Sequence, residues 1–152
     1  LSRKFVLVLE DANFTTRSQE EIMQSLGRNH NCLGVYFFVL TIGLFSYALY
    51  IGKTNSITRR VKEYLNEFQA HSPNDYKIQI FQKMVLKKVP KAQFSLYFRD
   101  ADLNTYTALE KELIEQFNPI MNKRAIAGQG ARVAFREAFE KYYRAGFEEL
   151  LN

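Results

Sequence analysis

Cysteine is nearly absent from this 152-residue chain: Cys32 stands alone, which excludes an internal disulfide framework, a CxxC redox pair and a cysteine-built zinc site. A reducing, cytoplasmic compartment is the expectation. The chain opens without the basic-then-apolar pattern of a secretory signal, and because Leu1 is not an initiator methionine, a trimmed or processed N-terminus is expected. No internal repeat or low-complexity tract appears, so one domain spanning 1–152, large enough to build its own core, is expected. Charge is missing from one stretch: the 24 residues between Arg28 and Lys53 hold no Asp, Glu, Lys or Arg. A helix of that length would cross a bilayer. The residue order argues otherwise, because Gly34 to Leu40 and Ser46 to Ile51 are aromatic and β-branched and are split by Thr41-Ile42-Gly43-Leu44. They predict a hairpin of two buried strands and no membrane partner.

Charge elsewhere is abundant and uneven. The net charge is +5, yet the segment from Lys53 to Arg99 holds ten Lys/Arg against Glu63, Glu67 and Asp75, a local surplus of +7 over a remainder of −2. Such a field favours a polyanion, most commonly nucleic acid. The plain alternative is a solvated, lysine-rich surface helix.

The pattern predicts a strand near Phe5–Leu9 and a short helix opened by the capping box Ser18-Gln19-Glu20-Glu21 and closed by Gly27. After the hairpin, Asn55 or Ser56 caps a helix through Phe68, striped by Ile57, Val61, Tyr64, Leu65 and Phe68. His71 to Asp75 is a loop. Tyr76 to Val89 begins with strand-like alternation and continues as a basic helix that Pro90 ends. Gln93 to Phe98 is a third strand, and a helix from about Thr105 to Phe117 stops before Pro119. Gly128-Gln129-Gly130 is a turn before a final amphipathic helix, Ala131 to Leu150, with Phe135, Ala138, Phe139, Tyr142 and Leu150 on one side. The expected class is α+β: a small, antiparallel-containing, three-stranded sheet flanked by helices, with extra N- and C-terminal helices.

Several side chains fall where chemistry needs them. At about 100° per residue, Glu110 lies within the arc of Tyr106, Leu109, Leu113, Ile114 and Phe117, whereas Glu112 and Glu115 lie outside it. A carboxylate among core-facing residues requires a cation or a metal, although an ordinary ion pair would also serve. Arg60 falls on the edge of its helix's apolar face and Arg59 points away. Tyr36 and Tyr50 lie on adjacent strands, where their phenols can share a site or simply pack in the core. Lys53 and Arg60 nearby would favour phenolate. Two phenols, two cations, the Glu110 carboxylate and the Asn122 amide are the groups a metal-assisted phosphodiesterase needs.

Gly34-Val35-Tyr36, Tyr50-Ile51-Gly52-Lys53, Arg60 ten residues after the second tyrosine, Leu109-Glu110, Pro119 and Asn122 together resemble the GIY-YIG endonucleases. The spacings are most similar to the N-terminal nuclease domains of bacterial excision-repair incision subunits. The resemblance covers about 33–123, leaving 1–32 as an N-terminal extension and 124–152 as a C-terminal helical one. It departs in a long connection between the tyrosine motifs and a basic segment around 72–92. It implies a DNA phosphodiester substrate and one Mg²⁺ or Mn²⁺ held by Glu110, with no small-molecule cofactor. Tyr36 or Tyr50 would activate water with help from Lys53, Arg60 would stabilise the transition state, and Asn122 would orient the second tyrosine or the glutamate region. Arg60 and Tyr64 would contact the nucleic acid, to which the basic segment adds Lys83, Lys87 and Lys88 by its charge, in a cytoplasmic or nucleoid-associated setting. The different-class alternative is a catalytically inactive nucleic-acid-binding module on the same fold. Oligomeric state stays open.

Overall fold

The computed structural model describes residues 5–26, 32–65 and 77–122, together with Lys141, Arg144, Ala145, Phe147 and Glu148. In chain order these form β1 (Val6–Leu9), α1 (Gln19–Leu26), β2 (Gly34–Ile42), β3 (Phe45–Thr54), α2 (Ile57–Leu65), α3 (Lys77–Lys88), β4 (Gln93–Asp100), α4 (Tyr106–Phe117) and a 3₁₀ turn, Ile120–Asn122. The class is α+β, as expected. The sheet, however, has four strands in the order β1-β4-β2-β3, every neighbouring pair antiparallel, rather than three. The fourth is β1, which pairs with β4 through Val6↔Phe98 and Leu7↔Tyr97, so the N-terminal segment completes the sheet instead of lying outside it.

From Gly34 onward the uncharged run is the hairpin, and the long connection between the tyrosine segments is strand almost throughout. Ile42 pairs with Phe45 across a two-residue turn, Gly43-Leu44. Gly43 has φ +59° and Leu44 is not in the positive-φ region, the pattern of a type II′ hairpin turn in which glycine takes the first central position. β2 sits between β3 and β4 and is buried along most of its length, which is why its sequence is continuously apolar rather than alternating. Among the described residues, no helix is long and apolar enough to cross a membrane.

Two cores flank the sheet. On one face Tyr36, Phe38, Leu40, Phe94, Leu96 and Phe98 pack against α1, α2 and α3 through Ile22, Leu26, Ile57, Val61, Tyr64, Ile78, Phe81 and Val85. On the other, Val35, Phe37 and Ile51 pack with Phe5 and with Leu109, Leu113 and Ile114 of α4. Ser18 caps α1 by accepting the Glu21 N–H at 3.1 Å, and Ser56 caps α2 by accepting that of Arg59 at 3.2 Å. α4 ends at Asn118, left-handed at φ 45°, ψ 58°, whose N–H bonds the Ile114 carbonyl just before Pro119.

The ambiguous segment is helical from Lys77 onward, with no strand. Ile78, Phe81 and Val85 share one buried face at i, i+3, i+7, and that period outweighs the short alternation at its start. Gln82 is fully buried there and holds the loop after β1: its Oε1 accepts the Phe14 N–H at 3.0 Å and its Nε2 donates to the Ala12 carbonyl at 2.7 Å. Gly27, the end of the second expected helix at Phe68, the His71–Asp75 loop and the Gly128 turn lie outside the described residues. So does the tail helix, apart from the five positions named above, of which Phe147 is buried against Phe81.

Candidate functional site

Tyr36 and Tyr50 share a face because the hairpin is irregular. Near the turn the ladder pairs Val39 with Ala48; beyond it, Phe38 pairs with Tyr50 and Tyr36 with Gly52, leaving Leu49 as the extra residue of a β-bulge. Directly opposed residues project to the same side of a sheet. The bulge thus places Leu49 and Tyr50 on the α2 side, and the Tyr36 and Tyr50 ring centroids lie 6.0 Å apart. Gly52 is opposite Tyr36, and a Cβ on it would overlap the Tyr36 hydroxyl and ring. Glycine is required there by close approach.

α2 supplies the other half of this cluster. The Tyr36 and Tyr64 hydroxyls share a hydrogen bond of 2.8 Å, and Arg60 Nε–H donates to Tyr36 Oη at 3.2 Å. The Arg60 guanidinium stacks 4.5 Å from the Tyr64 ring centroid. The predicted helix phase is correct, since the Arg60 side chain is 15% exposed and that of Arg59 is 57% exposed. Glu63, which the sequence reading did not single out, pairs with both, contacting Arg60 Nη1 directly and Arg59 Nη1 at 3.0 Å. An i, i+3/i+4 rule applied to the two arginines would have found it.

At Tyr50, the expectation that Lys53 and Arg60 favour phenolate does not hold. Burial, followed by the neighbouring Tyr36 phenol, pushes the Tyr50 hydroxyl well above its ordinary range, and Arg60 opposes this only in part. Burial likewise raises Tyr64. Lys53 projects to the opposite face, where its Nζ donates to Thr107 Oγ1 at 2.9 Å and lies 5.1 Å from the Tyr106 ring centroid on α4.

Glu110 stands on that face too. Its carboxyl is raised from the ordinary carboxylate value by burial, against the attraction of the Lys53 ammonium and the Lys53 backbone N–H. Glu112 and Glu115 are exposed, as the arc predicted. Tyr50, on edge strand β3, is the point at which the two faces communicate, for its phenol feels both Arg60 and Glu110. Asn122 fixes this strand: its Oδ1 accepts the Ile51 N–H at 2.8 Å and its Nδ2 donates to the Ile51 carbonyl at 2.7 Å. The amide thereby mimics one residue of a further strand and closes part of the open edge between Tyr50 and Gly52.

Lys83, Lys87 and Lys88 are exposed on α3, and Lys88 lies 4.0 Å from Glu148. An open cleft of about 560 Å³ lies elsewhere, lined by Arg99, Asp100, Asp102, Thr105, Leu109 and Glu112 among others, and includes none of the tyrosines. Among the described residues no group of three or more His, Cys, Asp and Glu side chains could hold a metal ion. A single carboxylate such as that of Glu110 would suit Mg²⁺ or Mn²⁺, which keeps several waters and can take its remaining oxygens from a phosphate. Compared with protein-family models, with curated proteins and with solved structures, the chain finds no match.

Proposed function

We propose that the protein is a divalent-metal-dependent endonuclease of the GIY-YIG kind, hydrolysing phosphodiester bonds in DNA within a cytoplasmic or nucleoid-associated setting. The observation that carries this reading is the convergence on β3 of Tyr50, Tyr36 and Arg60 from one face with Glu110 and Lys53 from the other. Tyr36 or Tyr50 is the group that takes a proton from the attacking water, as the phenolate left once its own hydroxyl proton has passed to solvent. Arg60, already bonded to Tyr36, supplies positive charge to the phosphorane-like transition state once a substrate phosphate replaces Glu63 beside it. Glu110 would hold the Mg²⁺ or Mn²⁺ ion, with the Lys53 ammonium beside it for a phosphate oxygen. The ion, when bound, supplies Lewis-acid stabilisation of phosphate charge and a more acidic water. Tyr64 backs the Tyr36 hydroxyl, Asn122 holds the strand in place, and Lys83, Lys87 and Lys88 offer phosphate contacts.

A second reading, a catalytically inactive nucleic-acid-binding module, is favoured by one observation: the Tyr50 phenol is held protonated by burial and Arg60 is neutralised by Glu63. Supercoiled plasmid incubated with the purified protein, with and without Mg²⁺ or Mn²⁺, separates the two. Metal-dependent nicking that E110Q abolishes supports the endonuclease. Plasmid binding with no nicking under any metal leaves the module.

A further inference from the structure

Hairpin turns are ordinarily polar, and this one is not. Leu44 is 99% exposed and Phe45 is 67% exposed, and a Cβ placed on Gly43 would meet no atom within 4 Å. The tip is an apolar projection standing in solvent. The strand register places the start of β4 beside it. Thr41, one residue before Ile42, pairs with both Ser46 and Gln93, so β4 begins at the end of the sheet where the hairpin turns. The chain leading into Gln93 is the C-terminus of α3 and its exit, with Lys87, Lys88 and Lys91 all exposed. Lys88 is shared with Glu148 at 4.0 Å. Besides Glu148, acids toward this end include Glu10 and Asp11, which follow β1 on the far side of β4, and Glu21, and both Asp11 and Glu21 lie 3.9 Å from Arg17.

We infer that the Leu44-Phe45 tip and the lysines beside it form a second duplex-DNA contact, in which the apolar tip packs into the base stack and Lys87 and Lys91 neutralise the flanking phosphates. Aromatic and branched apolar side chains are the groups that stack on or wedge between bases, and adjacent cations are what such an insertion requires. A docked protein surface would need no such cations. The inference rests on the reading that the protein binds DNA. It adds a second point of attachment to that reading, because Tyr36 lies six positions along β2 from Ile42, about 20 Å away at roughly 3.3 Å per residue. That span matches about six base-pair steps.

The test is binding of a fluorescein-labelled 30-base-pair duplex in EDTA, read by anisotropy across a salt series, with 2-aminopurine in the duplex to report unstacking. L44S/F45S is expected to weaken binding about tenfold or more with its salt slope unchanged, and to abolish the 2-aminopurine signal. K87A/K91A is expected to weaken binding and to reduce the slope by about two. F45L keeps an apolar strand residue and separates stacking from folding, with an intermediate loss expected. Affinity of L44S/F45S within about twofold of wild type overturns the inference, as does a wild-type dimer that this variant dissolves, which would assign the tip to a contact between copies. Plasmid nicking is measured alongside. If the wild type binds duplex without nicking, the endonuclease reading alone falls; if it binds no duplex, both fall.

Discussion

Replacing Asn122 with Ala removes two hydrogen bonds from a single buried residue. Ile51 has no exposed surface, and both its N–H and its carbonyl are satisfied by the Asn122 amide at 2.8 and 2.7 Å. A buried backbone group left without a partner costs about 1–3 kcal/mol. Asn122 is itself only partly buried, so water can enter the space it leaves and the lower half of that range applies to each group. The expected loss is about 2–4 kcal/mol, or a melting point lower by roughly 5–15 °C in a domain of this size. N122D sharpens the argument. Its ionised carboxylate keeps an acceptor for the Ile51 N–H but sets a second oxygen against the Ile51 carbonyl, and only the protonated form can donate there. The folded-state pKa of that carboxyl is thus raised. Its stabilising contribution is fully present below the unfolded value and is lost as pH rises through the folded one. N122D should melt near wild type at about pH 4 and approach N122A at about pH 7. Denaturant titrations placing N122A within about 0.5 kcal/mol of wild type would refute the claim that this amide holds the edge strand.

E110Q should abolish metal-dependent nicking and yet raise the melting point at neutral pH, because burial lifts the Glu110 carboxyl in the folded state. A raised carboxylate contributes stability below its unfolded pKa and loses it as pH rises, so the E110Q gain should vanish in acid; thermal melts across pH check this. R60A should reduce single-turnover cleavage by about 10² or more, while R59A, whose guanidinium is exposed, should change mainly the salt-dependent affinity; cleavage rates in the reverse order would break the assignment. G52A must displace the Tyr36 ring and should cost about 1–3 kcal/mol together with most activity, and unaltered melting would show that the ring has room.

The sequence reading succeeded where one periodicity governed one element. The helix phase separating Arg60 from Arg59, the arc that singled out Glu110, and the Ser18 and Ser56 caps are local properties of their own segments. It failed where partners distant in sequence decide. β1 is four residues long, and its place beside β4 depends on Val6 meeting Phe98. At Tyr50 the phenolate expectation summed nearby charges and omitted the desolvation of a buried phenol packed 6.0 Å from the Tyr36 ring. Lys53 was assigned to the tyrosines by closeness in sequence. Strand alternation sends it to the other face.

The bulge at Leu49 is the least legible feature, and the placing of Tyr36 and Tyr50 on one face depends on it. With Ile42 opposite Phe45, an unbroken ladder would set Tyr36 against Ile51 and turn Tyr50 toward α4, away from Arg60. One extra residue restores the parity. Deleting Leu49 tests this, because the shortened strand pairs regularly from Ala48 to Tyr50 and keeps both tyrosines on the α2 face. Leu49 is fully buried, so the deletion and L49A should each cost about 2–5 kcal/mol in denaturant titrations. At a temperature where both remain folded, each should retain nicking activity within about tenfold of wild type, since neither change moves Tyr50 to the other face. An inserted glycine after Leu49 that leaves the Leu49 bulge in place sets the glycine opposite Phe38 and turns Tyr50 toward α4, and should abolish nicking in protein that still melts cooperatively. If the folded deletion variant were inactive and the insertion variant active, the face on which Tyr50 stands would not be what the bulge determines.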